Sequence, residues 1–273
     1  MSREHVWEFS GRTDAGCVRS NNEDSFGIDA DLGLLVVADG MGGHNSGEVA
    51  SELVVSTVRD EARRVLGGPA SSEPEPGDGV PSARCRRLEG FIKTANTLIY
   101  GKGRAFPKDA GMGTTVVAVL ADGKSLSVAH VGDSRLYLFR GGVLTQLTED
   151  HSLVGDQLRR GLITPEAAAH SALQNILTRA VGAEPEVLVD VAEHAVRPGD
   201  VLLLATDGLD KMVSDAELAR VLARGLSPYE AADRLVDMAR QAGGTDNITV
   251  VCGRLGPAPA QGFWRKLARL WGR

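Results

Sequence analysis

Residues 34–44, Leu-Leu-Val-Val-Ala-Asp-Gly-Met-Gly-Gly-His, constrain this chain more than any other stretch. A short apolar run rich in β-branched residues reads as a buried strand. It runs directly into an acid and a cluster of glycines. A carboxylate at the exit of a core strand is held on a rigid element, where a site can be built. The glycine beside it lets the backbone approach whatever the acid binds. Leu202-Leu203-Leu204-Ala205-Thr206-Asp207-Gly208 repeats the pattern almost letter for letter. Val128-Ala129-His130-Val131-Gly132-Asp133 is a looser copy, and Asp246-Asn247 stands just before Ile248-Thr249-Val250-Val251. These strand ends are expected to converge and hold divalent cations.

The rest of the composition narrows the field. At 273 residues the chain is long enough for a sizeable core. A net charge of −6 gives no support for nucleic-acid binding, and no nucleic-acid partner is expected. Cys17, Cys85 and Cys252 are scattered, with no C-x-x-C, which fits a reducing compartment and argues against disulfides and zinc. The first residues lack an apolar h-region and no run is long enough to span a bilayer, so a cytoplasmic location is expected.

In chain order, residues 6–13 carry a weak strand pattern through Val6, Trp7 and Phe9. The polar segment 13–26 follows. It reads either as a solvated loop or as a set of anion- and metal-binding groups, with Arg19 suited to a phosphate and Glu23 and Asp24 to a bound water. Asn45-x-x-Glu48 predicts a capping box opening a helix whose apolar stripe is Val49, Leu53, Val54, Val58, Ala62 and Leu66. Residues 67–83 are rich in Gly, Pro and Ser and read as a flexible surface loop inside the domain. A second helix is predicted over 84–100, with Leu88, Ile92, Ala95 and Ile99 inward. From Gly113 to Leu147 the period changes to two, which predicts an antiparallel meander with turns at Asp122-Gly123 and Gly141-Gly142. Residues 148–182 return to helical signals, with a start at Thr164-Pro165-Glu166, and read either as a substrate-facing flap or as a connector. Strands are predicted near Val187–Val191 and Val201–Ala205, capping boxes at Ser214/Glu217 and Ser227/Glu230, and a last strand at Ile248–Leu255. The tail, 256–273, is a Pro/Ala linker followed by a short element with four basic and no acidic residues. Its residues 261–273 read as a contact for an acidic partner or an anionic membrane surface, or as a frayed basic terminus.

Several chemistries are excluded. Six residues after the three cysteines come Glu23, Phe91 and Ala258, so no Cys-x5-Arg loop exists. Gly123-Lys124-Ser125 has Ala118 where a P-loop needs its first glycine, and Asn45 takes the third glycine position of a dinucleotide fingerprint. No G-x-S-x-G elbow is present. With no serine or thiol nucleophile placed, water must attack. Oxygen ligands without histidine or cysteine clusters select Mg²⁺ or Mn²⁺. Two such ions can share a carboxylate, lower the pKa of a water and neutralise phosphoryl oxygens.

Thr13-Asp14-x-Gly16-x-x-Arg19-x-x-Asn22-Glu23-Asp24, Val37-Ala38-Asp39-Gly40-Met41-Gly42-Gly43-His44, Gly111-Met112-Gly113-Thr114-Thr115, Val131-Gly132-Asp133-Ser134-Arg135, Asp207-Gly208-Leu209 and Gly244-x-Asp246-Asn247 together closely resemble the PPM/PP2C metal-dependent serine/threonine phosphatases in their bacterial form. The resemblance covers about residues 8–255, in the family's order. It implies an α+β fold, a four-layer α-β-β-α sandwich of two antiparallel sheets flanked by helices, in a phosphatase domain over residues 1–255 whose flap is residues 148–182. Carried over, Asp39 bridges two ions, the Gly40 carbonyl binds one of them, and Asp207 and Asp246 complete the other. Glu23 orients a water at the metals, Arg19 clamps the substrate phosphate, and Asp133 with Asp207 matches the site of a third, weaker ion. Met41 stands where eukaryotic relatives place a histidine proposed as general acid. His44 or a water at the metals is left for that role. Asp210-Lys211 departs from the family pattern.

The resemblance implies a monomeric hydrolase, dependent on Mn²⁺ or Mg²⁺, that releases phosphate from phosphoserine and phosphothreonine in proteins and opposes a serine/threonine kinase. Its partners are then phosphorylated proteins, among them such a kinase and its substrates. A non-catalytic scaffold would have lost ligands, and none of Asp39, Asp133, Asp207 and Asp246 is lost. Hydrolysis of small phosphoesters is the remaining alternative.

Overall fold

The computed structural model describes residues 5–43, 46–67, 81–164, 167–168, 171 and 173–257. Eleven strands form two sheets, and every strand pair is antiparallel. One sheet runs β1 (His5–Asp14), β11 (Ile248–Pro257), β10 (Val201–Ala205), β7 (Arg135–Arg140), β8 (Val143–Gln146). The other runs β2 (Asp24–Asp29), β3 (Leu34–Met41), β5 (Val116–Ala121), β6 (Ser125–Val131), β9 (Asp190–Ala195), with β4 (Gly113–Thr114) paired to the end of β3. Helices α1 (Ser46–Leu66) and α2 (Ala83–Ala105) cover the second sheet. Helices α5 (Asp215–Leu222) and α6 (Pro228–Gln241) cover the first. Two short helices remain, α3 (Leu153–Arg159) and α4 (Asp207–Asp210).

Three apolar layers separate these four, as the sandwich expectation requires. Leu34, Val36 and Ala38 of β3 face α1 and α2, whereas Leu35 and Val37 face the other sheet. In β10, Val201, Leu203 and Ala205 face α5 and α6, while Leu202 and Leu204 face between the sheets. Both faces of these strands are buried, which is why their sequences read as unbroken apolar runs rather than alternations. On α2 the four predicted inward residues, Leu88, Ile92, Ala95 and Ile99, are fully buried, and the helix runs five residues beyond its predicted end. On α1, Val54, Val58 and Ala62 are buried, while Val49, Leu53 and Leu66 pack at the margin.

The helix starts follow their capping chemistry. Ser214 N donates to Glu217 Oε2 at 3.0 Å, and Ser227 N to Glu230 Oε2 at 2.9 Å with Glu230 N returning to Ser227 Oγ at 3.3 Å. Among the described residues no helix is long and apolar enough to cross a membrane. All three cysteines are free thiols, Cys17 exposed and Cys85 and Cys252 buried.

Two sequence expectations need correction. The stretch 113–147 is not one meander. β5 and β6 pair in one sheet, β7 and β8 in the other, and the chain changes sheets through Gly132-Asp133-Ser134. Gly132 has φ +103°, and a Cβ there would lie 2.6 Å from the Thr115 side chain, so only glycine fits this crossing. In the flap region the described residues include the helix α3 and further helical residues at 167–168. The strand placed near 187–191 begins three residues later, at Asp190. The predicted capping box at Asn45, the helix start at Pro165-Glu166, most of the 67–83 loop and the 261–273 contact lie outside the described residues.

Candidate metal centre

Antiparallel pairing brings the ends that matter to one edge of the sandwich. Asp24 opens β2 opposite Asp39 near the end of β3, Val116 opens β5 opposite Val131 at the end of β6, Arg135 opens β7 opposite Ala205, and Ile248 opens β11 opposite Asp14. Strand alternation puts Asp39 on the same face as Leu35 and Val37, toward the gap between the sheets. Arg19, Glu23, Asp39, Gly40, Asp133, Asp207 and Asp246 line a single cleft of about 270 Å³ there. Every described member of the sequence-predicted site is present. His44 lies outside the described residues.

The family-like motifs also contain the groups that aim these side chains. The Asp39 carbonyl accepts from Thr115 N at 2.8 Å and Thr114 Oγ1 at 2.8 Å, and Asp39 N donates to Thr115 Oγ1 at 2.9 Å. Thr115 Oγ1 in turn meets Ser134 Oγ at 2.7 Å, tying the Asp39 strand to the turn that carries Asp133. Asn247 braces the segment bearing Arg19 and Glu23. Its Oδ1 accepts from Glu23 N at 2.8 Å, and its Nδ2 donates to the carbonyls of Ala15 at 3.1 Å and Asn21 at 2.8 Å. Gly40 N donates to the Glu23 carbonyl at 3.0 Å, and a Cβ at Gly40 would stand 2.0 Å from the Gly47 carbonyl. Sequence reading assigned no role to Thr114, Thr115 or Asn247, although all three sit inside quoted motifs.

The electrostatics are those of crowded carboxyls out of water. Burial, reinforced by Asp24, Asp207, Asp133 and Asp246, holds the Asp39 carboxyl well above the usual range. Burial pushes Asp24 up to about 7 even though Thr206 Oγ1 donates to its Oδ2 at 2.8 Å. Asp133 also rises to about 7, from burial and then from Asp207. Burial raises Glu23 too. Such a cluster favours either protons or cations. Two cations come from the chain itself. Arg19 pairs with Asp246, Nε to Oδ1 at 2.9 Å and Nη2 to Oδ2 at 3.0 Å, and Asp246 beside it pushes the guanidinium further up. Lys211 Nζ contacts Asp207 Oδ2 and lies 4.0 Å from Asp246 Oδ2.

The departure at Asp210-Lys211 thereby acquires a physical account. Asp210 is buried against Arg135, Nη1 to Oδ2 at 3.1 Å, and Arg135 also holds Asp150 at 2.6 Å. Lys211, one turn after Asp207, points its ammonium back into the acidic cleft. A family-model match to protein phosphatase 2C covers residues 18–241. The chain belongs to the protein phosphatase 2C family.

Bacterial serine/threonine phosphatases are among its similar relatives. The chain is 39% identical over 243 residues to the serine/threonine phosphatase stp of Listeria innocua, covering 88% of this chain and 92% of that one. It is 38% identical over 247 residues to the serine/threonine protein phosphatase PstP of Mycobacterium tuberculosis, covering 90% of this chain but 44% of that protein. The chain thus spans less than half the length of the mycobacterial relative. The crystal structure of the catalytic domain of PstP in complex with two manganese ions matches with a TM-score of 0.78 at 36% identity, over 92% of this chain and 99% of that one.

One cluster near this phosphatase-like cleft escaped sequence reading. His130, His151 and Asp190 bring their ligand atoms within 4.8 Å of one another, with the two rings stacked at 4.6 Å. Their polar atoms already have partners. Gly132 N donates to His151 Nδ1 at 3.1 Å, His151 Nε2 meets Asp190 Oδ2 at 3.2 Å, and His130 Nε2 meets the Glu149 carbonyl at 2.9 Å. Arg179 takes the other Asp190 oxygen at 2.5 Å. The trio therefore braces the Gly132 crossing against the start of the flap.

Proposed function

We propose that this chain is a protein serine/threonine phosphatase that uses two divalent cations, Mn²⁺ or Mg²⁺, to hydrolyse phosphoserine and phosphothreonine, and that it opposes a serine/threonine kinase. The observation carrying the reading is the convergence of five acidic side chains and Arg19, drawn from segments far apart in sequence, on one cleft. The donors fit hard cations. They are carboxylates with the Gly40 backbone beside them, and Asp207 Oδ1 is buried without a hydrogen-bond partner among the described residues. Asp39, the Gly40 carbonyl, Asp207 and Asp246 are the groups that would hold the ions. Bound there, such ions supply a water of lowered pKa and neutralise the phosphoryl oxygens.

The chain's own residues do the rest. Arg19 presents a planar fork that fits two phosphoryl oxygens as readily as the two Asp246 oxygens it now holds. The partly buried Glu23 carboxylate accepts a hydrogen bond from the attacking water and fixes its direction. Met41 at the cleft cannot donate a proton, so His44 or a water in the cleft is left as donor to the leaving serine or threonine oxygen. Next to the cleft lies a larger cavity of about 720 Å³, between the strand ends and the flap, lined by Arg135, Glu149, Asp150, Val154 and Leu158. We assign it as the seat for residues flanking the phosphoamino acid, and its lining supports the reading that the flap, residues 148–182, takes part in substrate choice. Residues 1–255 form the phosphatase domain, and residues 261–273 provide a separate basic contact for an acidic partner or an anionic membrane surface.

The deciding experiment is phosphate release from a phosphothreonine peptide and from a small aryl phosphate, with Mn²⁺, with Mg²⁺ and with EDTA. Metal-dependent turnover that favours the peptide is expected. Turnover indifferent to EDTA refutes the metal reading, and turnover confined to the aryl phosphate refutes the protein substrate.

A further inference from the structure

Lys211 is the feature of the cleft that the metal reading leaves unexplained. It sits at the end of α4, so its ammonium returns along one helical turn to the Asp207 carboxylate. It is 21% exposed and stands where the metal cleft meets the flap cavity, since Asp133, Asp207 and Lys211 line both. Its ammonium faces two carboxylates, contacting Asp207 Oδ2 and lying 4.0 Å from Asp246 Oδ2. Its position is anchored from behind. Asp210, the preceding residue, is buried and paired to Arg135, which is itself clamped by Asp150. The short helix has little freedom to swing the lysine away.

A third divalent ion at Asp133 and Asp207 would have to share this space with a fixed positive charge. At about 4 Å, such repulsion in a partly buried site is enough to change affinity by tenfold or more. Two divalent ions together with Arg19 and Lys211 already offset the five carboxylates of the cleft. We propose that Lys211 is a tethered cation standing in for a third divalent ion at Asp133 and Asp207, so that this chain loads two ions where its acid set has room for three. The proposal rests on the metal-dependent reading above and specifies how that same site is filled.

The test is direct Mn²⁺ binding to the full chain by equilibrium dialysis, with free Mn²⁺ followed by electron paramagnetic resonance. Lys211→Met, Lys211→Gln, Lys211→Arg and the double variant Lys211→Met/Asp133→Asn are compared with the parent, and circular dichroism verifies that each is folded. The parent and Lys211→Arg should bind two ions. Lys211→Met and Lys211→Gln should gain a third, and Asp133→Asn should remove that gain. Unchanged stoichiometry in both neutral variants, or three ions in the parent, overturns the role of Lys211 while leaving the metal site standing. A parent that binds no Mn²⁺ overturns both readings together.

Discussion

Replacing Asp133 by asparagine should make the chelated protein more stable at pH 8 and nearly unchanged at pH 4. Asp133 lies in the turn where the chain passes between sheets, and burial beside Asp207 lifts its carboxyl from 3.8 to about 7, against the opposing pull of Lys211 and Arg135. A carboxyl with a higher pKa folded than unfolded takes up a proton on folding. The stability it contributes is complete below about pH 4 and is lost as pH climbs through about 7. Above that point the folded state carries an ionised carboxylate it would rather protonate. About three pH units at 1.36 kcal/mol each give about 4 kcal/mol. This is an upper bound, because the field is shared with Asp24, Asp39 and Asp207 and each proton taken up eases the next. The neutral amide escapes the penalty, so urea unfolding in EDTA should show a gain of about 1–4 kcal/mol at pH 8 and about 0.5 kcal/mol or less at pH 4. The buried histidines titrate in both proteins and cancel. Saturating Mn²⁺ should abolish the gain, since cations beside Asp207 favour the ionised acid. An Asp133→Asn variant no more stable than the parent at pH 8 in EDTA, or equally stabilised at both pH values, refutes the reasoning.

Further expectations concern catalysis and packing. Asp39→Asn and Asp207→Asn should each lower phosphopeptide turnover by about 100-fold or more with the circular dichroism spectrum retained, since each weakens the hold on the ions assigned to neutralise the phosphoryl oxygens. Parental activity in either variant under saturating Mn²⁺ would show the ligand assignment to be wrong. Arg19→Ala should raise KM for a phosphothreonine peptide more than it lowers kcat, with Arg19→Lys recovering part of the loss. Full recovery by lysine would mean that fork geometry is irrelevant. Gly40→Ala should lower the thermal midpoint sharply, because its Cβ would press within 2.0 Å of the Gly47 carbonyl and 2.6 Å of the Glu23 carbonyl, and an unchanged midpoint would contradict that packing. Deleting residues 257–273 should leave turnover of a small aryl phosphate intact. A collapse of that basal rate would mean the tail is part of the catalytic domain.

How much of this was legible beforehand depended on whether the information was local. An acid after an apolar run, with a glycine beside it, is a local pattern, and so Asp39, Asp207 and Asp246 could be named from sequence. Capping boxes are equally local, and those at Ser214 and Ser227 formed as written. What stayed hidden depends on register between distant strands. Thr206 is an unremarkable residue until pairing sets its hydroxyl 2.8 Å from Asp24, 182 positions away. Lys211 looked like a departure from pattern until the helical turn after Asp207 placed it in the cleft.

The failed meander makes the same point about Asp133. Strands 116–121, 125–131 and 135–140 are largely buried on both faces, so their period-two pattern does not tell which sheet each joins. A hairpin at 132–134 would have turned Asp133 out to solvent at the end of a single sheet. Because the chain instead crosses at Gly132, β7 pairs with β10 rather than with β6, and Arg135 comes to lie opposite Ala205. That register sets the turn residue Asp133 beside Asp207, two positions beyond Ala205, which is the proximity that raises its carboxyl. The residue that defeats the local prediction is thus the one that completes the acidic cleft, and a side chain at position 132 should cost the site Asp133 before it costs the protein its fold.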